Sequence, residues 1–358
     1  MILWQEQHSS FIGASHVGIT INIYIYITQN WGYFLKFNRM KVEHKPLYTN
    51  IDGMTLAPFC VPEVHRAATE FKPGKDDVVV TAYPKCGCTF TLQIVSLILR
   101  RGKPLMTYDK YISYIPFLER TTIEELSQMP KPRCIKTHLP FQSLKCSPEA
   151  KYIYVTRHPA DCLVSYYHHT RHFPTYFFSN GTLDEFFELF LQGDVTYNDY
   201  FDHLLSAYKY INEPNVLIIT YESLVADRRG VILKIAHFLG EEHYQNLLDN
   251  NEEVLNKVLE YSSLEFMKST VNGFWSRRFC KVPTIAEQES NPVLKKLAEL
   301  LRKAEMNGEE SKGEFLRKGG GVVGSSKQVL SPEQMERLNQ YILEKTANSD
   351  VMKLFENN

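Results

Sequence analysis

Residues 78–101 read VVVTAYPKCGCTFTLQIVSLILRR. The β-branched run predicts a strand, Pro84 ends it, and the apolar run over 89–101 predicts a helix. Gly87 lets the backbone approach a ligand closely. The N–H groups and dipole at the start of such a helix favour an anion, and Lys85 adds a point charge. The turn reads as a phosphate cradle, with an ordinary structural turn as the plain alternative. It is not a Walker A loop, G-x-x-x-x-G-K-[ST], because Lys85 precedes the single glycine instead of following a second one. Metal and redox readings of Cys86 and Cys88 also lose support. No second close pair of Cys or His completes a zinc set, and the redox motif is Cys-x-x-Cys.

Outward from this turn, β-branched or aromatic runs recur at 77–83, 133–138, 151–157 and 215–221, with helical spacing at 160–171, 183–191, 197–210 and 228–239. Continuous apolar strands alternating with helices predict an α/β fold whose parallel sheet is covered on both faces. Phe186, Phe187, Leu189 and Phe190, and likewise Ile232, Ile235, Ala236 and Leu239, recur at helical spacing and read as core. Helical patterning returns over 332–355, after the glycine-rich RKGGGVVGSS of 317–326, and the polar stretch 303–314 reads as a loop or linker.

The chain has 358 residues, 44% of them hydrophobic, enough for a sizeable core in one large or two modest domains. A formal net charge of −1 argues against a general polyanion binder, so no nucleic-acid partner is expected and any anion site must be local. Seven dispersed cysteines, an odd number, suit free thiols in a reducing compartment. Residues 1–45 differ from the rest. GITINIYIYIT (18–28) is apolar and β-prone, yet it is too short to span a bilayer, Asn22 interrupts it, and no basic segment precedes it as in a signal peptide. The expectation is a poorly ordered extension without chemistry, ahead of one domain over 46–358; an added strand or a membrane-associated segment is the alternative.

TAYPKCGCTF (81–90) resembles the 5′-phosphosulfate loop of the cytosolic sulfotransferases, Y-P-K-[ST]-G-T-T-W. Three further segments follow in that family's order: KTHLP (136–140), YVTRHPADCLVSYYHH (154–169) and FLRKGG (315–320). The resemblance runs from about residue 52 to the end. It implies one P-loop-like α/β domain, a parallel sheet flanked by helices. It also implies cytoplasmic transfer of a sulfonate from 3′-phosphoadenylyl sulfate (PAPS) to a hydroxyl or amine, without a catalytic metal.

In-line sulfonate transfer requires two positioned reactants, a base for the acceptor's proton and positive charge at the leaving oxygen. His138 suits the proton, with an ordinary imidazole pKa near 6.5. The resemblance implies that Lys85 reaches the bridging oxygen and Lys136 the transferred sulfonate. It assigns the 3′-phosphate to Arg157 and Ser165, with Arg317, Lys318 and Gly319 as a second clamp from the C-terminal loop. Phe90 and Leu264 stand where the family places a tryptophan and a phenylalanine around adenine, so the sandwich is thinner. Tyr221, Ser262 and Met267 match other adenine-side positions. Cys86 and Cys88 replace hydroxyl residues, which leaves the cradle to the backbone N–H groups of a turn formed with Gly87 and Thr89. A thiol beside Lys85 and a helix N-terminus is expected to have a lowered pKa.

Phe59, Phe141 and RHFPTYFF (171–178) are candidates for a hydrophobic slot that takes a phenol, steroid or other small alcohol; as aromatics they also read as core. The family's dimerisation motif, K-x-x-x-T-V-x-x-x-E, has only a loose outline in SKQVLSPEQ (326–334), so a homodimer stays open. Two rivals remain: a P-loop kinase, which requires ATP and Mg²⁺, and a nucleotide-dependent carrier that keeps the fold and transfers nothing.

Overall fold

The computed structural model describes residues 42–311 and 321–356. A short antiparallel hairpin comes first, β1 (Thr49–Ile51) and β2 (Met54–Leu56), turned by Asp52 and Gly53, both at positive φ as a tight hairpin turn demands. The central sheet follows: β3 (Asp77–Thr81), β4 (Arg133–Thr137), β5 (Lys151–Thr156) and β6 (Val216–Thr220). All pairings are parallel, in the order β4-β3-β5-β6. Every residue of β3 and β4 is buried, so their apolar residues do not alternate with exposed ones, and the polar residues at the strand ends are buried with them.

Order and register decide where a site can form. From β3 the chain moves outward to β4, then returns across the sheet to pair β5 on the other side of β3. Loops leaving β3 and β5 therefore depart in opposite directions and open a crevice at the carboxyl ends of the strands. At the other end a buried ion pair locks the register. Arg133 donates through Nε and Nη2 to the two carboxylate oxygens of Asp77, both at 2.7 Å, and these residues pair across the strands.

Two predicted helices match their bounds, Leu183–Leu191 and Arg228–Leu239. The first begins sharply because Thr182 and Glu185 cap each other's backbone N–H groups. Cys88–Leu99, Pro159–His172 and Tyr200–Tyr208 fall within three residues of prediction. Residues 303–306, expected in a loop, instead complete the helix Pro292–Met306. Leu297, Ala298, Leu301 and Ala304 bury one face, so the polar residues there are its outer side. The tail divides into Pro332–Thr346 and a short 3-10 turn, Val351–Phe355. The helices Glu241–Tyr261 and Leu264–Cys280 had no sequence prediction.

Residues 42–45, grouped by sequence with the N-terminal extension, include two anchored positions: Glu185 Oε1 accepts the N–H of Glu43 at 3.1 Å and of His44 at 2.8 Å. Residues 1–41 lie outside the described residues. Among those described, no helix is long and apolar enough to cross a membrane.

Candidate active site

A cavity of about 900 Å³ lies against the carboxyl ends of the sheet, lined from the turns after β3, β4, β5 and β6. The turn after β3 is built for close approach. Gly87 sits at φ 101°, and a Cβ there would stand 2.8 Å from Tyr221 Cδ2 and 3.5 Å from Val155 Cγ2. Lys85 also adopts a positive φ. Gly87 is the N-cap of the helix Cys88–Leu99 and no side chain caps it, so the first N–H groups of the helix lack intrahelical partners at the cavity. Lys85, Gly87, Cys88, Thr89 and Phe90 line the cavity.

Cys86 differs. Its side chain is fully buried with Sγ 3.6 Å from Cys162 Sγ, its N–H donates to Tyr83 O at 3.3 Å, and it does not line the cavity, contrary to its expected place in the cradle. The expected low thiol pKa is wrong in direction for both cysteines of the turn. Burial pushes Cys88 up to about 12 and Cys86 well above the ordinary value, because neither thiolate could be hydrated.

On the β5 side, Arg157 is buried with its guanidinium carbon 4.4 Å over the Tyr221 ring. Its Nη2 donates to Val322 O at 3.4 Å, while Nε has no partner among the described residues. The Tyr221 hydroxyl donates to Gly321 O at 2.8 Å. Asp161, one turn into the helix Pro159–His172, accepts the N–H groups of Gly324 at 2.6 Å and Ser326 at 2.9 Å. The loop over 321–326 is therefore tied beside Arg157 although the bonded residues are 163 and 165 positions apart in sequence. Ser165, Ser262, Leu264 and Met267 also line this part, and Ser262 Oγ is buried without a partner among the described residues. Arg317, Lys318 and Gly319 lie outside the described residues.

The opposite wall holds His138 and Lys136. His138 Nδ1 is 2.7 Å from Ala82 O. A carbonyl oxygen can only accept, so Nδ1 carries the proton and Nε2 is the basic nitrogen. The His138 carbonyl accepts from His203 Nε2 at 3.0 Å, and Tyr154 OH then donates to His203 Nδ1 at 3.0 Å. Burial, reinforced by Lys136, holds His138 well below the ordinary histidine pKa, so the ring is neutral at pH 7. Lys136 is itself buried, 4.2 Å from the Phe117 ring centre and 4.5 Å from that of Trp275, and burial lowers it to about 8.

Phe59, His172 and Tyr176 line the cavity, as the slot reading expects, while Phe173, Phe177 and Phe178 of the same segment do not. Phe141 does not. It is 1% exposed and packs among Tyr152, Tyr154 and Tyr210 in the core, because the turn Phe141–Ser143 has already left the cavity mouth. Sequence reasoning missed Phe117, Arg120, Arg228, Trp275 and Phe279. Arg228 donates to Ser262 O at 3.4 Å. Trp275 and Phe279, stacked at 5.0 Å, come one turn apart from the unpredicted helix Leu264–Cys280. That four-residue spacing was the available signal.

A family model described as the sulfotransferase domain matches residues 75–296. The amine sulfotransferase of Oryctolagus cuniculus is 33% identical over 282 residues, covering 77% of this chain and 82% of its own. Sulfotransferase 1E1 of Cavia porcellus is 32% identical over 244 residues, covering 63% and 76%. The crystal structure of mouse sulfotransferase SULT7A1 complexed with PAP superposes with a TM-score of 0.60 at 27% identity, covering 86% of this chain and 97% of that one. The domain match takes in the turn after β3, the His138 and Lys136 wall and Arg157, and the chain belongs to the sulfotransferase family.

Proposed function

We propose that this sulfotransferase moves a sulfonate from PAPS to the hydroxyl or amine of a small, mostly apolar acceptor, such as a phenol, a steroid or another alcohol. The observation that carries the reading is His138. Its Nδ1 is committed to Ala82 O, which leaves Nε2 as the basic nitrogen of a side chain in the wall of an aromatic cavity.

The residues present fit the donor. Gly87 leaves free a space that a Cβ would fill, the helix behind it is uncapped, and the buried Arg157 Nε and Ser262 Oγ await partners among the described residues. When bound, the donor supplies an activated sulfonate on a good leaving group. Lys85 and the N–H groups of the turn hold the phosphosulfate end. Arg157 and Ser165, with Arg317, Lys318 and Gly319, hold the 3′-phosphate, and Phe90, Tyr221, Ser262, Leu264 and Met267 surround the adenine. His138 takes the acceptor's proton. Lys136, still mostly protonated at neutral pH, offsets negative charge on the sulfonate.

The test is transfer from radiolabelled PAPS to a panel of phenols, steroids, amines and catechols, by the wild type and by His138→Ala. Turnover should fall by about 10² to 10⁴ in the variant while nucleotide affinity is kept. Equal loss of nucleotide binding would make His138 structural. Binding of nucleotide with no transfer to any member of the panel would favour the carrier reading.

A further inference from the structure

Arg120 ends the 3-10 turn Leu118–Arg120, on a segment that runs beside β4 through the Phe117 to Lys136 bridge, and it stands in the cavity wall. It is 3% exposed, and among the described residues none of its three guanidinium nitrogens has a hydrogen-bond partner. The guanidinium carbon lies 4.2 Å from the centre of the Phe59 ring and 4.4 Å from that of Phe279, and these rings are 6.0 Å apart. They form a corner around the cation instead of sandwiching it. Ring faces offset part of the dehydration of a cation, but they do not answer five N–H donors. Buried polar groups are nearly always hydrogen-bonded, and a buried charge requires a partner still more strongly.

Among the described residues no carboxylate pairs with this guanidinium. Glu119, the neighbouring carboxyl, gives its Oε1 to the His138 N–H. The Arg120 carbonyl accepts from Asn291 Nδ2 at 3.0 Å, which fixes the backbone and leaves the side chain's need unchanged. Arg278 is a second cation acting on Arg120, and both act on Lys136. Cys60 and Tyr176, acids that act on Arg120, are both raised by burial and uncharged at neutral pH. Burial lowers Arg120 to about 9, so it remains a cation at pH 7. An apolar pocket with an excess of buried positive charge is a poor receptor for a wholly neutral molecule.

We infer that the acceptor suited to this pocket carries a carboxylate as well as its reactive hydroxyl, and that the guanidinium fork of Arg120 binds it: a hydroxylated, otherwise apolar organic acid. The inference rests on the acceptor-pocket reading above. The planar fork matches a carboxylate with two parallel charge-assisted hydrogen bonds, while a neutral analogue of the same shape leaves the buried cation unanswered.

The test is calorimetric titration of the full chain, saturated with adenosine 3′,5′-bisphosphate, with 3-(4-hydroxyphenyl)propanoate and with its methyl ester. The acid should bind at least about tenfold more tightly than the ester, as charge-assisted bonds to a buried arginine imply. Arg120→Met should bring the two within about threefold, with bisphosphate affinity unchanged, and Arg120→Lys should keep part of the preference. Equal affinity of acid and ester for the wild type overturns the inference whether or not any variant folds, and so does a full preference surviving in Arg120→Met. Transfer from radiolabelled PAPS to the same pair separates the two readings. Sulfonation of an ester that binds as well as the acid sinks the carboxylate site and leaves sulfonate transfer standing. Acid-selective binding without transfer to either compound upholds the role of Arg120 and counts against the acceptor class proposed above.

Discussion

The main-chain N–H of His138 donates to Oε1 of Glu119 at 2.7 Å, and this carboxyl is 1% exposed, with Oε2 unpartnered among the described residues. The candidate base is held through its backbone by a group that burial pushes up to about 7.

The consequence is a pH-dependent stability with a defined sign. A folded-state pKa near 7 against an ordinary value of about 4.5 means that the folded state binds the proton more tightly, so stability falls as pH rises between those values. The loss amounts to about 3 kcal/mol at most. Glu119→Gln keeps an acceptor for His138 without the charge. Urea midpoints should show the variant more stable than the wild type by up to that amount at pH 8 and nearly equal near pH 4.5. Parallel profiles at every pH would contradict the assignment.

Lys136 predicts an alkaline limb in activity. Burial has lowered it to about 8, so its charge is lost as pH rises through that value. In the free enzyme kcat/KM should decline above about pH 8. Lys136→Arg, whose guanidinium holds its proton to higher pH than an ammonium, should move the limb to higher pH even if the maximum is lower. A limb that persists in the variant belongs to another group.

Gly87→Ala puts a Cβ at φ 101° and 2.8 Å from the Tyr221 ring. The strained backbone costs about 1–3 kcal/mol, and the displaced ring is the one that carries the hydrogen bond to Gly321 O. The expected result is a lower melting temperature together with at least about tenfold weaker binding of adenosine 3′,5′-bisphosphate, since the turn and the C-terminal loop move together. Normal nucleotide affinity in a folded variant would show that the turn does not face the nucleotide.

Cys86 and Cys88 should resist alkylation, because burial raises both thiols far from thiolate at neutral pH. Peptide mapping after mild iodoacetamide treatment should find the exposed Cys146 modified first. Cys86→Ser with Cys88→Thr should keep turnover, since the backbone carries the cradle. A folded but inactive double variant would mean that the sulfurs matter.

The four sheet strands were legible because buried parallel strands are rich in β-branched and aromatic residues and alternate here with stretches of helical spacing. The turn over 84–89 was legible for a similar reason: the end of a strand and the start of a helix depend on neighbours a few residues apart, so Pro84 and Gly87 state it locally. His138 and Arg157 were legible as strand-end residues inside short segments. Residues brought in from afar were not. Arg120 sits in FLERTT, with no periodicity to mark it, and Trp275 and Phe279 lie on a helix whose low amphipathicity concealed it.

Residues adjacent in the chain stated the class of fold, the strand–turn–helix after β3 and the segments that supply the candidate base and cations. Only the tertiary structure decided which aromatics face the cavity, that Phe141 is core while Phe59 is wall, that the cysteines of the turn are less acidic than free thiols, and that Arg120 is buried among rings with no carboxylate partner among the described residues. Those facts depend on dehydration and on partners far away along the chain. The free energy of a charge is set by everything packed around it, which local sequence does not record.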